Sequence, residues 1–207
     1  MSKSSPLIRS VAGRFLRDRR GVAATEFALL MPILFISYLM VFEVTLAIET
    51  RQKADRIGSA VADLVAQQQS LSKADIGQIL EISDTIIRPY DRSTQAVKVT
   101  AIQVSDEDVP KASVVWSVKS GSTPGTVVDG DTPKTPPAVP LPGKLMTRGA
   151  FIIQVTTDLN YLPVIVWSTD AKETLGILSA FSELNFDGAY YARPRQAQSV
   201  SCTDCPT

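Results

Sequence analysis

Two cysteines, Cys202 and Cys205, are the residues whose type and spacing most readily suggest chemistry in this sequence of 207 residues. A C-x-x-C pair can be a redox centre, half of a zinc site or a small disulfide. A redox centre needs the pair at a helix start beside a strand, whereas here it lies in a polar segment, SCTDCPT. A zinc site lacks its two further ligands. We therefore favour an inert segment or a disulfide formed in an oxidising compartment, with a cross-link to a partner as the alternative.

No other catalytic or cofactor site is evident from the sequence. Histidine is absent, which excludes Ser-His-Asp and Cys-His catalysis and any His-ligated metal. No phosphate-binding glycine loop and no nucleophile with an evident base occur. The acidic residues at 106–108, and those at 129 and 131, lack the spacing of a calcium loop. We expect a protein that is not an enzyme and binds no cofactor or metal.

The charges cancel in total but are distributed unevenly. Six basic residues and one acidic residue precede Gly21, and the remaining 15 basic and 20 acidic residues follow it. A nucleic-acid-binding protein would gather its basic residues on a folded face. A short basic segment ahead of an acidic body instead indicates orientation in a membrane. We expect the lipid bilayer, and no nucleic acid, as a partner.

Residues 27–48, FALLMPILFISYLMVFEVTLAI, form an apolar run with one charge, Glu43. As a helix the run is about 33 Å long, close to the thickness of the hydrocarbon core. Five arginines precede it, and three basic residues follow closely, so the positive-inside rule predicts a cytoplasmic N-terminus and an external body. The run is longer than that of a secretory signal and no A-x-A-like site follows. An uncleaved signal anchor is the simplest interpretation.

Glu26 is not explained by a simple anchor. A carboxylate at mid-bilayer costs roughly 2.5–3.5 kcal/mol, so Glu26 should lie near the bilayer edge or have a partner. It belongs to the stretch Gly21-Val-Ala-Ala-Thr-Glu26-Phe27. This stretch resembles the prepilin processing motif, which is a glycine followed by four residues, a glutamate and an aromatic residue.

The wider stretch, FLRDRRGVAATEFALLMPILFISYLMVFEVTLAIETRQKADRIGSAVADLV, resembles the N-terminus of TadE-like proteins. These are pseudopilins of the tight-adherence (Tad/Flp) pilus, and related chains of that system are called TadG. The points of match are Arg-Arg-Gly, Glu-Phe-Ala, Pro32 and Glu43. The resemblance covers residues 15–68 firmly and the remainder loosely, so it leaves the TadE or TadG subclass open.

The resemblance implies a role for each residue of the motif. A membrane aspartyl prepilin peptidase would cut after Gly21 on the cytoplasmic side and leave Val22 as the new N-terminus. Glu26 and Phe27 would serve peptidase recognition and assembly, with the Glu26 carboxylate paired to the α-ammonium of a neighbouring subunit. The alternative for Glu26 is a carboxylate that snorkels to the headgroups. Glu43 could snorkel outward, pair with another subunit or mark the exit from the bilayer.

Helical periodicity continues beyond the apolar run and predicts one pilin-like helix from near 24 to near 68, with a membrane half and an amphipathic half. A break near Glu49 is the alternative. Ser72 and Asp75 predict the N-terminal cap of a second helix, which Pro89 ends.

The remaining sequence predicts an antiparallel sheet of about four strands and an α+β fold. The strands are 96–105, 112–118, 149–161 and one within 178–194 that has a turn or bulge at Asp187-Gly188. Residues 120–143 hold six prolines and four glycines and predict an exposed loop. The apolar side chains of residues 160–178, including Trp167, would either belong to the core or form an exposed patch that contacts another subunit.

These features predict a cytoplasmic leader (1–21), a transmembrane helix (22–48) and a periplasmic domain (49–207). The leading hypothesis is a minor pseudopilin of a Tad/Flp type IVb pilus in the bacterial inner membrane, processed by a prepilin peptidase. It would act in pilus biogenesis and adhesion with other pilins and inner-membrane Tad components. The alternative is an unprocessed, signal-anchored periplasmic binding or sensing module. A membrane-bound hydrolase is disfavoured because no catalytic constellation is present.

Overall fold

The computed structural model describes residues 21–90, 95–123, 125–130, 141–164 and 184–206. They form an α+β fold, so the predicted class is confirmed. Residues 1–20 of the predicted leader 1–21, Trp167, and parts of the predicted loop 120–143 and of the last strand within 178–194 lie outside the described residues. The elements in chain order are α1 (Val22–Ala66), β1 (Ser70–Leu71), α2 (Lys73–Ile87), β2 (Ala96–Val104), β3 (Ala112–Ser120), β4 (Val127–Asp129), a 3-10 turn (Gly143–Leu145), β5 (Phe151–Asn160), β6 (Asn185–Ala192) and β7 (Ser201–Cys202).

Helix α1 is 45 residues long, so the predicted long N-terminal helix is confirmed and the alternative of a break near Glu49 is wrong. Contacts within the chain fall into two units that meet between Thr45 and Leu46. We therefore describe two parts of α1 separately, the N-terminal half (22–45) and the C-terminal half (46–66).

Helix α2 has the predicted capping arrangement. The Asp75 N–H donates to the Ser72 hydroxyl oxygen at 3.2 Å, and the Ser72 N–H donates to the Asp75 carboxylate at 2.8 Å. These bonds satisfy donors that the first turn of a helix leaves unpaired. The helix ends at Ile87, two residues before Pro89, as predicted.

The main sheet has five antiparallel strands in the order β4-β3-β2-β5-β6. The prediction of about four strands omitted β4, which lies inside the predicted loop 120–143. Val127 and Val128 supply β-branched residues there, and β4 pairs with the end of β3. The predicted bulge at Asp187-Gly188 is wrong, because both residues pair in continuous register with β5. The register shift lies in the β2–β3 pairing instead, where Ala101 pairs with Trp116 and Ile102 with Val114, so that Val115 of β3 is the extra residue.

One face of the sheet packs against α2 and the C-terminal half of α1 to form the core. Trp116 of β3 is 2% exposed, and Val99 and Ile153 are fully buried. Tyr161 stacks on Tyr90 at 5.5 Å between ring centroids. The core thus fixes the C-terminal half of α1 against the sheet.

Candidate functional site

Gly21 and Val22 stand at the start of α1 and are exposed. A Cβ added to Gly21 would meet no atom of the described residues within 4 Å, and the φ of Gly21 does not lie in the left-handed region that favours glycine. The described part of the fold therefore gives no reason for a glycine at position 21. A requirement for glycine there would have to come from a molecule that binds this segment.

Glu26 and Phe27 are both exposed, Phe27 at 59%. Glu26 lies four residues after Val22, so its side chain is on the same face of α1 as the helix start, about one turn away. The N-terminal end of a helix carries partial positive charge, which favours a carboxylate. Glu26 lies just beyond the first turn of α1, so this partial charge acts on it only weakly.

The side-chain hydroxyl groups of serine and threonine in the N-terminal half of α1 are bonded within the helix. Thr25 donates to the Val22 carbonyl at 2.8 Å, and Ser37 donates to the Ile33 carbonyl at 2.9 Å. Thr45 makes the same kind of bond. Such bonds remove donors that would be costly in hydrocarbon.

Apolar side chains cover the N-terminal half of α1 and are exposed, for example Leu29 at 74% and Val41 at 67%. Helix α1 is long and apolar enough to span a membrane. Glu43 differs from its neighbours because it is 1% exposed and has an interaction partner. Its carboxylate does not reach solvent in this structure, and its role in the bilayer or the assembly stays a prediction.

Residues 21–63 match the family model of the TadE-like proteins. Residues 21–63 are thus similar to TadE-like proteins, and we call them the TadE-like segment. The match starts at Gly21 and covers about one fifth of the chain, nearly all of it in α1. The resemblance inferred from the sequence is thus confirmed for this segment. No significant match was found among curated proteins or among solved structures.

The TadE-like segment continues into the C-terminal half of α1, where one face is buried. Ala54, Ile57 and Val61 are between 0 and 3% exposed and recur at steps of three and four residues. That spacing places them on one side of the helix. The family match therefore includes both an exposed apolar region and a helix face that belongs to the core.

A close approach between α1 and β6 occurs at Gly58. A Cβ at this position would overlap the ring of Tyr190. The Tyr190 hydroxyl donates to the Asp55 carboxylate at 2.6 Å. Burial, followed by the bond to Asp55, raises the pKa of Tyr190 to about 12. Gly58 is thus required by packing inside the TadE-like segment.

One ion pair and one hydrogen bond tie the same helix to two other segments. Arg195 lies 2.6 Å from the Asp63 carboxylate, and the Lys53 ammonium donates to the Arg88 carbonyl at 2.9 Å. Lys53 also lies 3.0 Å from Glu49. An open groove of about 670 Å³ runs between α1 and the end of β6, lined by residues of 59–63 and 189–195. These contacts explain how α1 is held but form no catalytic arrangement.

A small polar cavity lies between α2 and the β3–β4 connection. Its volume is about 20 Å³, and Ser83, Asp84 and Gln95 are among its lining residues. The Ser83 hydroxyl and both Gln95 amide atoms are buried without a partner in the described part of the chain. Burial raises the pKa of Asp84, which Arg88 opposes. The cavity has room for about one water and is too small for an organic cofactor.

Cys202 and Cys205 are joined by a disulfide. Asp204 lies close to both sulfurs, but bonded sulfurs are not thiolates and are poor metal ligands. The structure therefore holds the pair in the disulfide form that the sequence analysis named, and its state in the cell stays a prediction.

Sequence reasoning did not identify Asp55, Gly58 and Tyr190 as a contact. An isolated glycine inside a helical pattern signals a close approach, so Gly58 could have been singled out. Its partner could not, because Asp55 and Tyr190 are 135 residues apart.

Proposed function

We propose that the chain is a minor pseudopilin of a Tad/Flp pilus assembly system. The observation that carries this proposal is the TadE-like match, which begins at Gly21, the glycine of the prepilin-like motif. Its role is structural, and we infer no catalytic activity. It contributes to pilus biogenesis and surface adhesion together with other pilins and inner-membrane Tad components.

A prepilin peptidase cleaves the chain between Gly21 and Val22 in this proposal. The exposure of both residues and the open space around Gly21 support it, since a peptidase needs access to an extended backbone and glycine offers the least steric hindrance. Cleavage leaves an α-ammonium on Val22, one helical turn from Glu26. In the assembly, the Glu26 carboxylate of one subunit is then neutralised by the Val22 α-ammonium of a neighbouring subunit.

Residues 22–48 cross the inner membrane, with the leader 1–21 in the cytoplasm and residues 49–207 in the periplasm. The apolar exposed surface of the N-terminal half of α1 and its internally bonded hydroxyl groups support this placement. The excess of arginine ahead of residue 27 supports the orientation. Glu43 lies near the end of the apolar run, where its buried side chain makes its contact within the chain itself.

The test is the intact mass and N-terminal sequence of the chain isolated from its native membrane. We expect a chain that begins at Val22 in cells with active prepilin peptidase and at Met1 in cells without it. Gly21→Val should block the cleavage, and Gly13→Val, a matched change in the same basic segment, should not.

A full-length chain in cells with active peptidase would contradict the proposal. The function supported in that case is the unprocessed, signal-anchored periplasmic binding or sensing module. Because a Cβ at Gly21 meets no atom of the described residues within 4 Å, we expect Gly21→Val to fold like the native chain.

A further inference from the structure

The segment that carries the cysteine pair is bonded to three other elements. The Arg195 N–H donates to the Ala66 carbonyl at the end of α1, at 3.0 Å. Strand β7 pairs in parallel with β1. The Trp116 indole N–H donates to the Val200 carbonyl at 2.9 Å, and both residues are buried. Residues 195–205, which we call the clamp, therefore close one end of the core.

Asp204 of the clamp caps helix α2. Its carboxylate accepts the Lys73 N–H at 2.7 Å, and Lys73 is the first residue of α2. At the same helix end, the Asp75 carboxylate accepts the Ser72 N–H and the Ser72 hydroxyl oxygen accepts the Asp75 N–H. The N-terminus of α2 thus has two caps, one local and one from a residue 131 positions away.

The disulfide encloses Asp204. Cys202 lies opposite Leu71 in the β1–β7 pair, and the Thr203 N–H donates to the Leu71 carbonyl at 3.0 Å. Cys205, with a Cα–Cα distance of 5.5 Å from Cys202, closes the ring. Both cysteines pack against the core. The Thr203 N–H and hydroxyl both donate to the Leu71 carbonyl and hold one side of Asp204 on β1, and the disulfide restrains the other side through Cys205. Opening the ring removes this second restraint on the Asp204 carboxylate.

We propose that Cys202 and Cys205 are an oxidative modification site whose oxidation places Asp204 as the long-range cap of α2 and closes the clamp. The oxidant is of the thiol–disulfide class. One cysteine thiolate attacks the disulfide of the oxidant and releases one oxidant thiolate. This first step leaves a mixed disulfide between the chain and the oxidant. The second cysteine thiolate attacks the mixed disulfide and releases the second oxidant thiolate. The chain thus loses two electrons and two protons, and the oxidant becomes a dithiol. The inference rests on the proposed periplasmic location only for the supply of oxidant.

The experiment measures hydrogen exchange of the Lys73 amide in the full chain, reconstituted in bilayer discs. The chain is compared in its oxidised form, after reduction with dithiothreitol, and after reoxidation with oxidised glutathione. Loss of a cap corresponds to roughly 2- to 30-fold in local opening. We expect exchange to accelerate by that factor on reduction and to return on reoxidation. Equal exchange in the two forms overturns the proposal.

Three variants separate the cap from the disulfide. In the oxidised chain Asp204→Ala should accelerate exchange at Lys73 as much as reduction does, and Asp204→Asn should not, because asparagine also caps well. Reduction of Asp204→Ala should add nothing further at Lys73. A further acceleration there would show that the disulfide acts by another route and would overturn the proposal.

The cysteine-free variant Cys202→Ser/Cys205→Ser should show the same fast exchange at Lys73 as the reduced chain. If this variant fails to fold, the exchange rates of the Asp204 variants test the proposal. A chain isolated from its native membrane with both thiols free to alkylation, or with zinc bound to them, also overturns the proposal. These outcomes do not depend on the N-terminus of the chain. They are therefore distinguishable from a failure of the proposed pilus function.

Discussion

The two halves of α1 belong to one continuous helix but have opposite surroundings. In the C-terminal half, Ile57 and Val65 are fully buried. In the N-terminal half, Leu29 and Ile33 are 74% and 63% exposed. Burial of apolar surface stabilises a fold by about 25 cal/mol per Å², so only the C-terminal half contributes through the core of the domain. The apolar surface of the N-terminal half requires a bilayer or other subunits to cover it.

The largest expected effect separates the two halves by matched substitutions. Ile57→Ala should lower the free energy of unfolding of the domain by about 2–5 kcal/mol, because it leaves a cavity in the core. Ile33→Ala, at an exposed position, should change it by less than about 0.5 kcal/mol. Urea unfolding of the full chain in bilayer discs, followed by the fluorescence of Trp116 in a Trp167→Phe background, measures both. Equal losses of unfolding free energy in the two variants would contradict the difference between the two halves of α1.

The next effect concerns the close approach at Gly58. Gly58→Val should lower the free energy of unfolding by about 1–3 kcal/mol, because the new side chain overlaps the Tyr190 ring. Gly143→Val, at a position with open space, is the control and should have little effect. Combining Gly58→Val with Tyr190→Ala should give less than the sum of the single changes. Strict additivity would show that the two residues do not meet.

Tyr190 should also make the C-terminal half of α1 sensitive to alkali. Its pKa is raised to about 12, above the ordinary value of about 10, so the folded chain retains the phenolic proton more tightly than the unfolded chain. This contribution to stability is fully present below pH 10 and is lost as the pH rises toward 12. The free energy of unfolding, measured as a function of pH, should show this loss in the native chain and not in Tyr190→Phe.

The smallest effect is expected at the cap of α2, which serves as a reference outside α1. The hydrogen bonds from Ser72 lower the pKa of Asp75 below its ordinary value of 3.8. The associated stability is present above that value and is lost as the pH falls through the folded-state pKa. Asp75→Asn should remove this acid dependence, and Ser72→Ala should raise the Asp75 pKa toward the ordinary value, which carbon-detected NMR titration of the carboxyl would report.

The sequence was sufficient to predict the elements whose signals are local. The apolar run and the three- and four-residue spacing beyond it predicted α1, and the pair Ser72 and Asp75 predicted the start of α2. Strand β4 was missed because three paired residues in a proline-rich segment give too short a pattern. The bulge expected at Asp187-Gly188 was wrong because the pairing of β6 with β5 determines that backbone.

The residues of the candidate site also divide into those with a local sequence signal and those without one. Gly21, Glu26 and Phe27 could be named because the motif is contiguous, and the family match covers them. The contacts of Asp55 with Tyr190 and of Lys73 with Asp204 join residues more than a hundred positions apart. Such pairs depend on the whole fold and leave no periodic signal in the sequence.

The most direct test of the central claim is a depth profile of α1 in bilayer vesicles. Nitroxide labels on single added cysteines, Leu29→Cys and Val41→Cys in the N-terminal half and Arg56→Cys and Ser59→Cys in the C-terminal half, report collisions with oxygen and with a water-soluble nickel chelate. We predict that oxygen dominates at positions 29 and 41 and that the nickel chelate dominates at 56 and 59. Equal access of the nickel chelate to positions 29 and 59 would contradict the claim that one helix serves both the bilayer and the domain.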